Sequence, residues 1–422
     1  MKLALRPWLV LVHRWAGLTL AGFLALAGLT GALLVWYEEL DAWASPHLLR
    51  AVPPTPQAPM LDPLDLRHKV QAQYPGAYAA MAPLHLTPGH AAVVRLFGLP
   101  GSAGRLQEPP NDQVFVNPYT GEVLGERKWG DIGQGTKNLV PFIYRLHYSL
   151  ALDKAGETLL GIVALLWTVD CFAGAWLTLP APQRNPLARR ASPWLLRWWP
   201  SWKLRWRQGS YKRHFDLHRA GGLWTWSMLF VLAWSSVAFN LHQEVYDPVM
   251  RTLFAHQRDE QSQAKASQPN LAPAMDWAAA RTTGQQLMAE QARRHGFSIL
   301  EETLMVHDPR RGPHGSWRYQ VRSSRDIRDR WGSTQVIFDA DTGALLHVWL
   351  PTGAAAGDTI RTWLTSLHMA ALWGIPFRLF MMGLGLAVVL LSVTGVVIWA
   401  RKRQGRVTGR ARDRVVAVPA GE

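Results

Sequence analysis

Residues 13–37 read HRWAGLTLAGFLALAGLTGALLVWY, a histidine and an arginine followed by an apolar run without a charged residue. A helix needs about 20 apolar residues to cross a bilayer. Three further runs meet this length, so the sequence predicts four membrane-spanning helices, over 11–36, 158–179, 221–241 and 377–400. The first run is too long for the apolar core of a signal peptide, and we interpret it as an uncleaved anchor.

Basic residues lie beside these apolar runs. The chain has 422 residues, a net charge of +15 and a mean hydropathy of −0.05, although 48% of it is hydrophobic. Residues 181–213 contain nine Lys and Arg and no Asp or Glu, and the tail from Arg401 is also basic. The positive-inside rule therefore predicts a cytoplasmic location for both. This distribution indicates that the basic residues lie at the cytoplasmic surface of the membrane. We therefore expect no nucleic-acid partner.

These observations predict a protein of the bacterial inner membrane, with both termini in the cytoplasm and the large domains in the periplasm. They also predict the order of its segments. From the N-terminus, the segments are the N-terminal residues with the first span (1–37), an external domain (38–157), the second span (158–180), a basic Trp-rich loop (181–213), the third span (214–241), an external domain (242–376), the fourth span (377–400) and a basic tail (401–422). Cys171 is the one cysteine, which excludes an intrachain disulfide and a CxxCH haem attachment.

The two halves of the chain repeat the same motifs. His13 begins HRWAGL and His218 begins HRAGGL, while His147 lies in LHYSL and His368 in LHMAA. VFVNPYTGEVL at 114–124 parallels VIFDADTGALL at 336–346, and each pattern predicts two strands joined by a glycine turn. Helix candidates near 62–74 and 277–295 precede these hairpins. The sequence thus predicts a membrane α-helical bundle built from two helix–external α+β domain–helix units.

With these motifs the chain resembles the PepSY-associated transmembrane family from about residue 8 to 403. The resemblance implies PepSY-like external domains. Members include iron-regulated inner-membrane proteins, and some are similar to ferric-siderophore reductases that carry b-type haem. It therefore implies an oxidoreductase that reduces ferric-siderophore iron in the periplasm. The turn reads NPYTG in the first hairpin and DADTG in the second, so the two external domains are expected to differ in role.

The depth of each histidine in the membrane determines which two histidines can bind the same haem iron. Two histidines from facing helices give a six-coordinate haem iron, and opposite leaflets are separated by roughly 30 Å of hydrocarbon. We therefore expect His13 with His218 at an inner haem, and His147 with His368 at an outer one. The cationic candidates for the haem propionates, which equally fit ordinary interfacial charge, are Arg14, Arg219 and Arg145. Two alternative ligands stay open, His214 one turn before His218 and His242 at the end of the third span.

No dinucleotide-binding glycine motif, P-loop or HExxH motif is found in the sequence. The electron donor is therefore expected to be a membrane quinol or a cytoplasmic reductase. A haem-free scaffold or sensor that regulates a periplasmic partner or protease is the alternative function. A siderophore transporter is less favoured because four helices leave little room for a gated path.

Overall fold

The computed structural model describes residues 5–101, 107–181, 193–257 and 268–416, without the side chains of 408–416. Part of the predicted basic loop, residues 182–192, and the end of the predicted tail, residues 417–422, lie outside the described residues. Contact between elements divides the chain into two compact units. The first comprises 1–35, 146–247 and 375–422, and the second comprises 36–145 and 248–374.

The helices are α1 (Leu5–Leu34), α2 (Tyr37–Ala44), α3 (Pro46–Leu49), α4 (Pro63–Gln73), α5 (Leu139–Ser149), α6 (Asp153–Thr178), α7 (Trp194–Trp198), α8 (Ser210–Asn240), α9 (Asp247–Leu253), α10 (Trp277–His295), α11 (Ala356–His368) and α12 (Gly374–Val416). The strands are β1 (Ala77–Ala79), β2 (Met81–Pro83), β3 (Ala92–Gly98), β4 (Gln113–Val116), β5 (Val123–Arg127), β6 (Ile299–Asp308), β7 (Ser316–Ser323), β8 (Thr334–Asp339) and β9 (Leu345–Trp349).

Four helices are long and apolar enough to cross a membrane, and they confirm the four predicted spans. They are α1, α6, α8 and the Gly374–Val407 part of α12. Each begins earlier in the chain than its apolar run, by 11 residues for α8, which starts at Ser210 rather than 221. Helical hydrogen bonds are local and tolerate charged side chains, so the backbone continues as a helix through the flanking basic turns.

Neighbouring helices of the first unit are joined by polar and close backbone contacts. Both terminal nitrogens of Arg6 in α1 donate to carbonyls at the end of α6, and Trp226 of α8 donates from Nε1 to the Cys171 carbonyl of α6. Between α1 and α12, a Cβ at Gly28 would lie 2.6 Å from the Gly385 oxygen, so only glycine permits this approach. Helix α8 also contacts α12. Because α6 and α12 each contact both α1 and α8, α1 and α8 lie at diagonally opposite positions of the four-helix bundle.

A short helix and a sharp break precede both α6 and α12. His147 lies near the end of α5 and His368 ends α11, so neither belongs to the apolar helix that follows. Leu150 and Ala151 have φ of 53° and 56° after α5, and Ala370 has φ of 50° after α11. Non-glycine residues rarely adopt positive φ, so these turns fix the direction of the next helix at a conformational cost.

The second unit contains two antiparallel sheets. Their strand orders are β1-β3-β4-β5 and β2-β6-β7-β8-β9. The hairpins β4–β5 and β8–β9 confirm the predicted strand–turn–strand patterns, with Gly121 and Gly343 at φ of 76° and 72°. Helices α4 and α10, which match the two predicted helix candidates, pack on the two cores.

The second unit differs from the two separate external domains expected from the sequence. Strand β2 comes from the first segment, yet it is the edge strand of the sheet formed by the second segment, with Met81 opposite Val306. Residues 36–145 and 248–374 therefore form one compact unit. The physical reason is that an edge strand exposes unpaired backbone groups, and β2 pairs them along β6.

Candidate functional site

Two imidazoles meet inside the helical bundle. The ring centres of His13 in α1 and His218 in α8 lie 6.0 Å apart, and the ring planes are inclined by 53°. These helices are diagonal in the bundle, so the two rings approach each other across it. The structure thus brings together the two histidines that the sequence pairs by depth.

The imidazole of His13 is oriented by a carboxylate. Its Nδ1 lies 2.9 and 3.0 Å from the two oxygens of Asp170 in α6. A carboxylate only accepts hydrogen bonds, so Nδ1 carries the proton. In the neutral imidazole the lone pair then lies on Nε2, the nitrogen on the other side of the ring.

The imidazole of His218 is oriented by α12 instead. Its Nδ1 lies 3.0 Å from the carbonyl oxygen of Leu391 and 3.2 Å from the hydroxyl of Thr394. That hydroxyl donates its own proton to the Leu390 carbonyl, 2.7 Å away. Nδ1 of His218 therefore donates to both oxygens, and its lone pair also lies on Nε2.

The imidazole of His147 has an equivalent arrangement with α1. Its Nδ1 lies 2.9 Å from the Thr30 hydroxyl, and that hydroxyl donates to the Leu26 carbonyl at 2.7 Å. The proton between the histidine and the threonine therefore belongs to Nδ1. Three of the four predicted ligands thus carry the ring proton on Nδ1, as metal-binding histidines that use Nε2 do.

A glycine lies against each of these three rings. A Cβ added at Gly174, Gly395 or Gly31 would lie 3.3, 3.2 or 3.1 Å from Cε1 of His13, His218 or His147, respectively. Such distances are shorter than ordinary van der Waals contact, so a larger residue would displace the ring. Each imidazole therefore rests with its Nδ1–Cε1 edge on a neighbouring helix at a glycine.

The residues of the inner pair fit a haem group. Two imidazoles on opposite sides of one iron, with metal–nitrogen bonds of about 2 Å, have ring centres roughly 6 Å apart, which agrees with the observed 6.0 Å. Gly17 and Gly222 follow the two histidines by one helical turn, and among the described residues no atom outside the adjoining stretch of the same helix lies within 4 Å of either Cβ position. Within the described ranges, no three metal-binding side chains cluster as ligands for a bare ion. A porphyrin supplies four ligands itself and needs two from the protein.

Two of the three predicted cationic partners, Arg219 and Arg145, have other contacts in the structure. Arg219 donates to Asp216 at 3.0 Å and to the Pro200 carbonyl at 2.8 Å, and Arg205 binds the same carboxylate. Arg145 donates to the Gly130 carbonyl at 3.1 Å, and Arg14 is half-buried in α1. Their role towards a cofactor stays a prediction, and Arg219 would have to leave Asp216 or bind both anions.

The two alternative histidines do not join the inner pair. Nδ1 of His214 lies 2.6 Å from the Ser210 carbonyl in the preceding turn of α8. The ring of His242 stacks on Tyr246 at 5.7 Å, in the turn after α8. His368 is in the second unit, at the end of α11, and its predicted role as a ligand stays a prediction.

Asp170 and Thr30 are functional candidates that the sequence reasoning missed. Asp170 interrupts the apolar run LLWTVDCFAG, and an ionisable residue within a span is itself a signal of function. Thr30 gives a weaker signal because threonine is common in membrane helices. The rotation of each helix about its axis decides which side chain faces a histidine. The residue pattern does not reveal that rotation.

The sequence profile of the family described as PepSY-associated TM region matches residues 10–402, nearly the whole chain. None of the curated proteins compared with the chain matches it.

Proposed function

Because the chain belongs to the family of PepSY-associated transmembrane regions, we propose that it is a di-haem b-type electron-transfer protein of the bacterial inner membrane. It passes electrons across the membrane to a periplasmic acceptor. That acceptor is ferric iron held by a siderophore, and the reaction reduces it to Fe(II). The protein is thus a transmembrane ferric-siderophore reductase.

The observation that supports this proposal most directly is the arrangement of His13 and His218. Their ring centres are 6.0 Å apart, and each Nδ1 donates to a fixed acceptor on another helix. This fixes the orientation of both rings before any ligand binds, and it leaves both Nε2 lone pairs for one iron. Metal-binding histidines generally have such a second hydrogen bond.

The residues of the bundle have separate tasks in this proposal. A bound haem supplies one-electron chemistry at its iron. His13 and His218 hold the inner group, Asp170 and Thr394 orient their rings, and glycines let the rings approach the helices. Apolar side chains of the four helices exclude water from this site. Arg14 and Arg219 are the proposed partners of the inner propionates.

The proposal extends to a second haem in the other leaflet. His147 and His368 are its ligands and Arg145 its cationic partner, as the repeated motifs indicate. The proposal includes two internal repeats, each of which is a helix, an external PepSY-like segment and a helix. Each pair then takes one histidine from each repeat. Quinol or a cytoplasmic reductase donates the electrons. The basic segments 181–213 and 401–422 favour an orientation with both termini in the cytoplasm.

Reduction suits the release of iron from a chelator. Oxygen-rich siderophores bind Fe(III) much more tightly than the softer Fe(II), so one electron weakens the complex. The protein then has to bring the ferric complex close to the outer electron carrier, and no covalent step on the chelator is required. The segments 36–145 and 248–374 are the proposed binding region for that complex.

The optical spectrum of purified protein tests this proposal. We expect sharp low-spin b-type bands in detergent after dithionite reduction, and about two haems per chain by pyridine haemochrome assay. His13→Ala and His147→Ala should each remove one haem, whereas His295→Ala, at an exposed position of α10, should retain both. Absence of haem from protein produced with adequate haem supply would overturn the proposal and leave the haem-free scaffold.

A further inference from the structure

The second unit contains a cavity of about 340 Å³ that holds none of the predicted haem ligands. It lies between α4 with β1 on one side and the segment entering α10 on the other. Its principal lining residues are Arg67, Tyr78, Leu99, Trp277 and Trp317. Sites for small molecules usually have this composition, an apolar and aromatic wall with few polar groups, at a boundary between substructures.

Arg67 places a buried positive charge at this cavity. The residue is 7% exposed, and Nε donates to the Ala79 carbonyl at 2.8 Å while Nη2 donates to Gln71 at 3.2 Å. In the part of the chain that the structure describes, no carboxylate forms an ion pair with Arg67, and its Nη1 forms no hydrogen bond. A buried cation without a counter-charge is costly, and an anion in the cavity would offset that cost.

Aromatic groups surround this cation. The guanidinium lies 4.4 Å from the Trp277 ring centre and 5.7 Å from that of Tyr78. The ring centres of Trp277 and Trp317 lie 4.7 Å apart in an edge-on contact, and the ring centres of Trp317 and His307 lie 4.6 Å apart. Trp317 and His307 are fully buried, so Trp277 and Tyr78 are the rings of this cluster that a flat ligand can contact at the cavity.

Arg67 and Asp276 are the charged side chains that line this cavity, and Tyr78 and the nearby His307 add no charge. Burial raises the pKa of Tyr78 to about 12 and lowers the pKa of His307 to about 4, so both side chains are neutral near pH 7. Their hydrogen bond joins the Tyr78 oxygen and Nδ1 of His307 at 2.6 Å. Asp276 also lines the cavity, but its carboxylate accepts from the Ala279 amide at the start of α10.

Trp317 is the most deeply buried aromatic side chain at this cavity. Trp317 is fully buried, and its indole Nε1 has no hydrogen-bond partner among the described residues. Buried polar groups without partners are uncommon in native proteins and call for a specific explanation. Trp317 lines the cavity that Arg67 also lines.

We propose that this cavity binds a small planar aromatic anion, with the acid group on Arg67 and the ring against Trp277. A carboxylate matches the guanidinium in charge and in geometry. The volume admits a compound of one or two rings. Aryl acids of the hydroxybenzoate type have this chemistry, and so do the aryl groups of many iron chelators. The site does not depend on haem and would be present in haem-free protein.

Equilibrium dialysis of radiolabelled salicylate against the full-length protein in detergent tests this inference. We expect one saturable site per chain. Unlabelled salicylamide, a neutral analogue of the same shape, should compete about tenfold or more less well, because it lacks the charge-assisted bond. Hexanoate, an aliphatic acid, should also compete weakly. Equal competition by salicylamide would overturn the role of the charge, and equal competition by hexanoate would overturn the role of the ring.

Variants separate binding from folding. Arg67→Gln should weaken salicylate binding about tenfold or more, whereas Arg294→Gln, at an exposed position of α10, should leave it unchanged. Arg67 also supports β1, so a second variant is needed. Leu99→Trp enlarges a 37% exposed side chain that lines the cavity, and it should abolish binding at unchanged melting temperature. Full binding by folded Arg67→Gln and Leu99→Trp proteins would overturn the site.

Discussion

The two imidazoles of the inner pair have unequal partners. His13 donates to both oxygens of a carboxylate, Asp170, whereas His218 donates to a neutral carbonyl and a neutral hydroxyl. A carboxylate partner makes an imidazole a more basic ligand and adds negative charge near the metal. Under the proposed function, Asp170 therefore stabilises ferric over ferrous iron in the inner group.

Replacement of Asp170 should separate its charge from its hydrogen bond. Asp170→Asn retains an acceptor for Nδ1 of His13, so we expect both haems to remain and one midpoint potential to rise. Asp170→Leu removes the acceptor and should lower the affinity for one haem about 10- to 100-fold. Redox titration followed by absorbance, and haem titration of the apo-protein, measure the two effects.

Cys171→Ala is the matched control for these variants, because Cys171 is the next residue of α6 and is also buried. It should leave both the potentials and the haem affinity unchanged. A potential that does not move in Asp170→Asn, together with full haem affinity in Asp170→Leu, would contradict the positioning role.

The repeated motifs predicted that His13 and His218 lie close together, and the residues that orient these rings were harder to predict. Equal depth was enough to pair His13 with His218, because depth follows from position along a span. Asp170 and Thr30 contact histidines on other helices. Such contacts depend on helix rotation and crossing, and a single apolar run does not encode either.

Glycines on α6 and α12 lie against the two histidines of the inner pair, and a glycine on α1 lies against His147. Thr30-Gly31 and Thr394-Gly395 each combine a hydroxyl that accepts from an imidazole with a glycine that lets the ring approach. On α6 the corresponding pair is Ala173-Gly174, and Asp170 one turn earlier provides the acceptor. A small residue followed by glycine thus recurs on three helices, each time beneath a histidine.

Enlarging one of these glycines should displace a ring without removing any polar group. A Cβ at Gly395 would lie 3.2 Å from Cε1 of His218, so Gly395→Leu should shift that imidazole and remove one haem. Gly383 is on the same helix with no atom within 4 Å of its Cβ position, and Gly383→Leu should retain both haems. The haemochrome count and the melting temperature of both variants provide the test. Two haems in folded Gly395→Leu protein would argue against His218 as a ligand.

The types of the elements followed from the sequence, while their ends and long-range pairings did not. Apolar length predicted the four spans, and the Thr-Gly turns predicted the hairpins β4–β5 and β8–β9. The start of α8 at Ser210 was missed because its first turns are polar and basic. The pairing of β2 with β6 was missed because it joins residues more than 200 positions apart, and three-residue strands leave no pattern of alternation.

At the scale of the whole molecule, the charge distribution predicts the orientation of the chain in the membrane. The described basic residues between α6 and α8, and those at the end of α12, are expected to remain in the cytoplasm. The odd number of spans between these regions and the segments 36–145 and 248–374 then predicts the opposite side of the membrane for both segments. The proposed function requires this orientation, because it places the acceptor in the periplasm.

The single native cysteine makes this orientation measurable. In a Cys171→Ser background, new cysteines at exposed positions report the side on which each segment lies. Gln57→Cys and Arg294→Cys should react with a membrane-impermeant maleimide in spheroplasts, which lack the outer membrane, whereas Arg207→Cys and Lys402→Cys should react only after lysis. The reverse pattern would place the segments 36–145 and 248–374 in the cytoplasm, away from a periplasmic acceptor, and would exclude the proposed direction of electron transfer even if both haems were present.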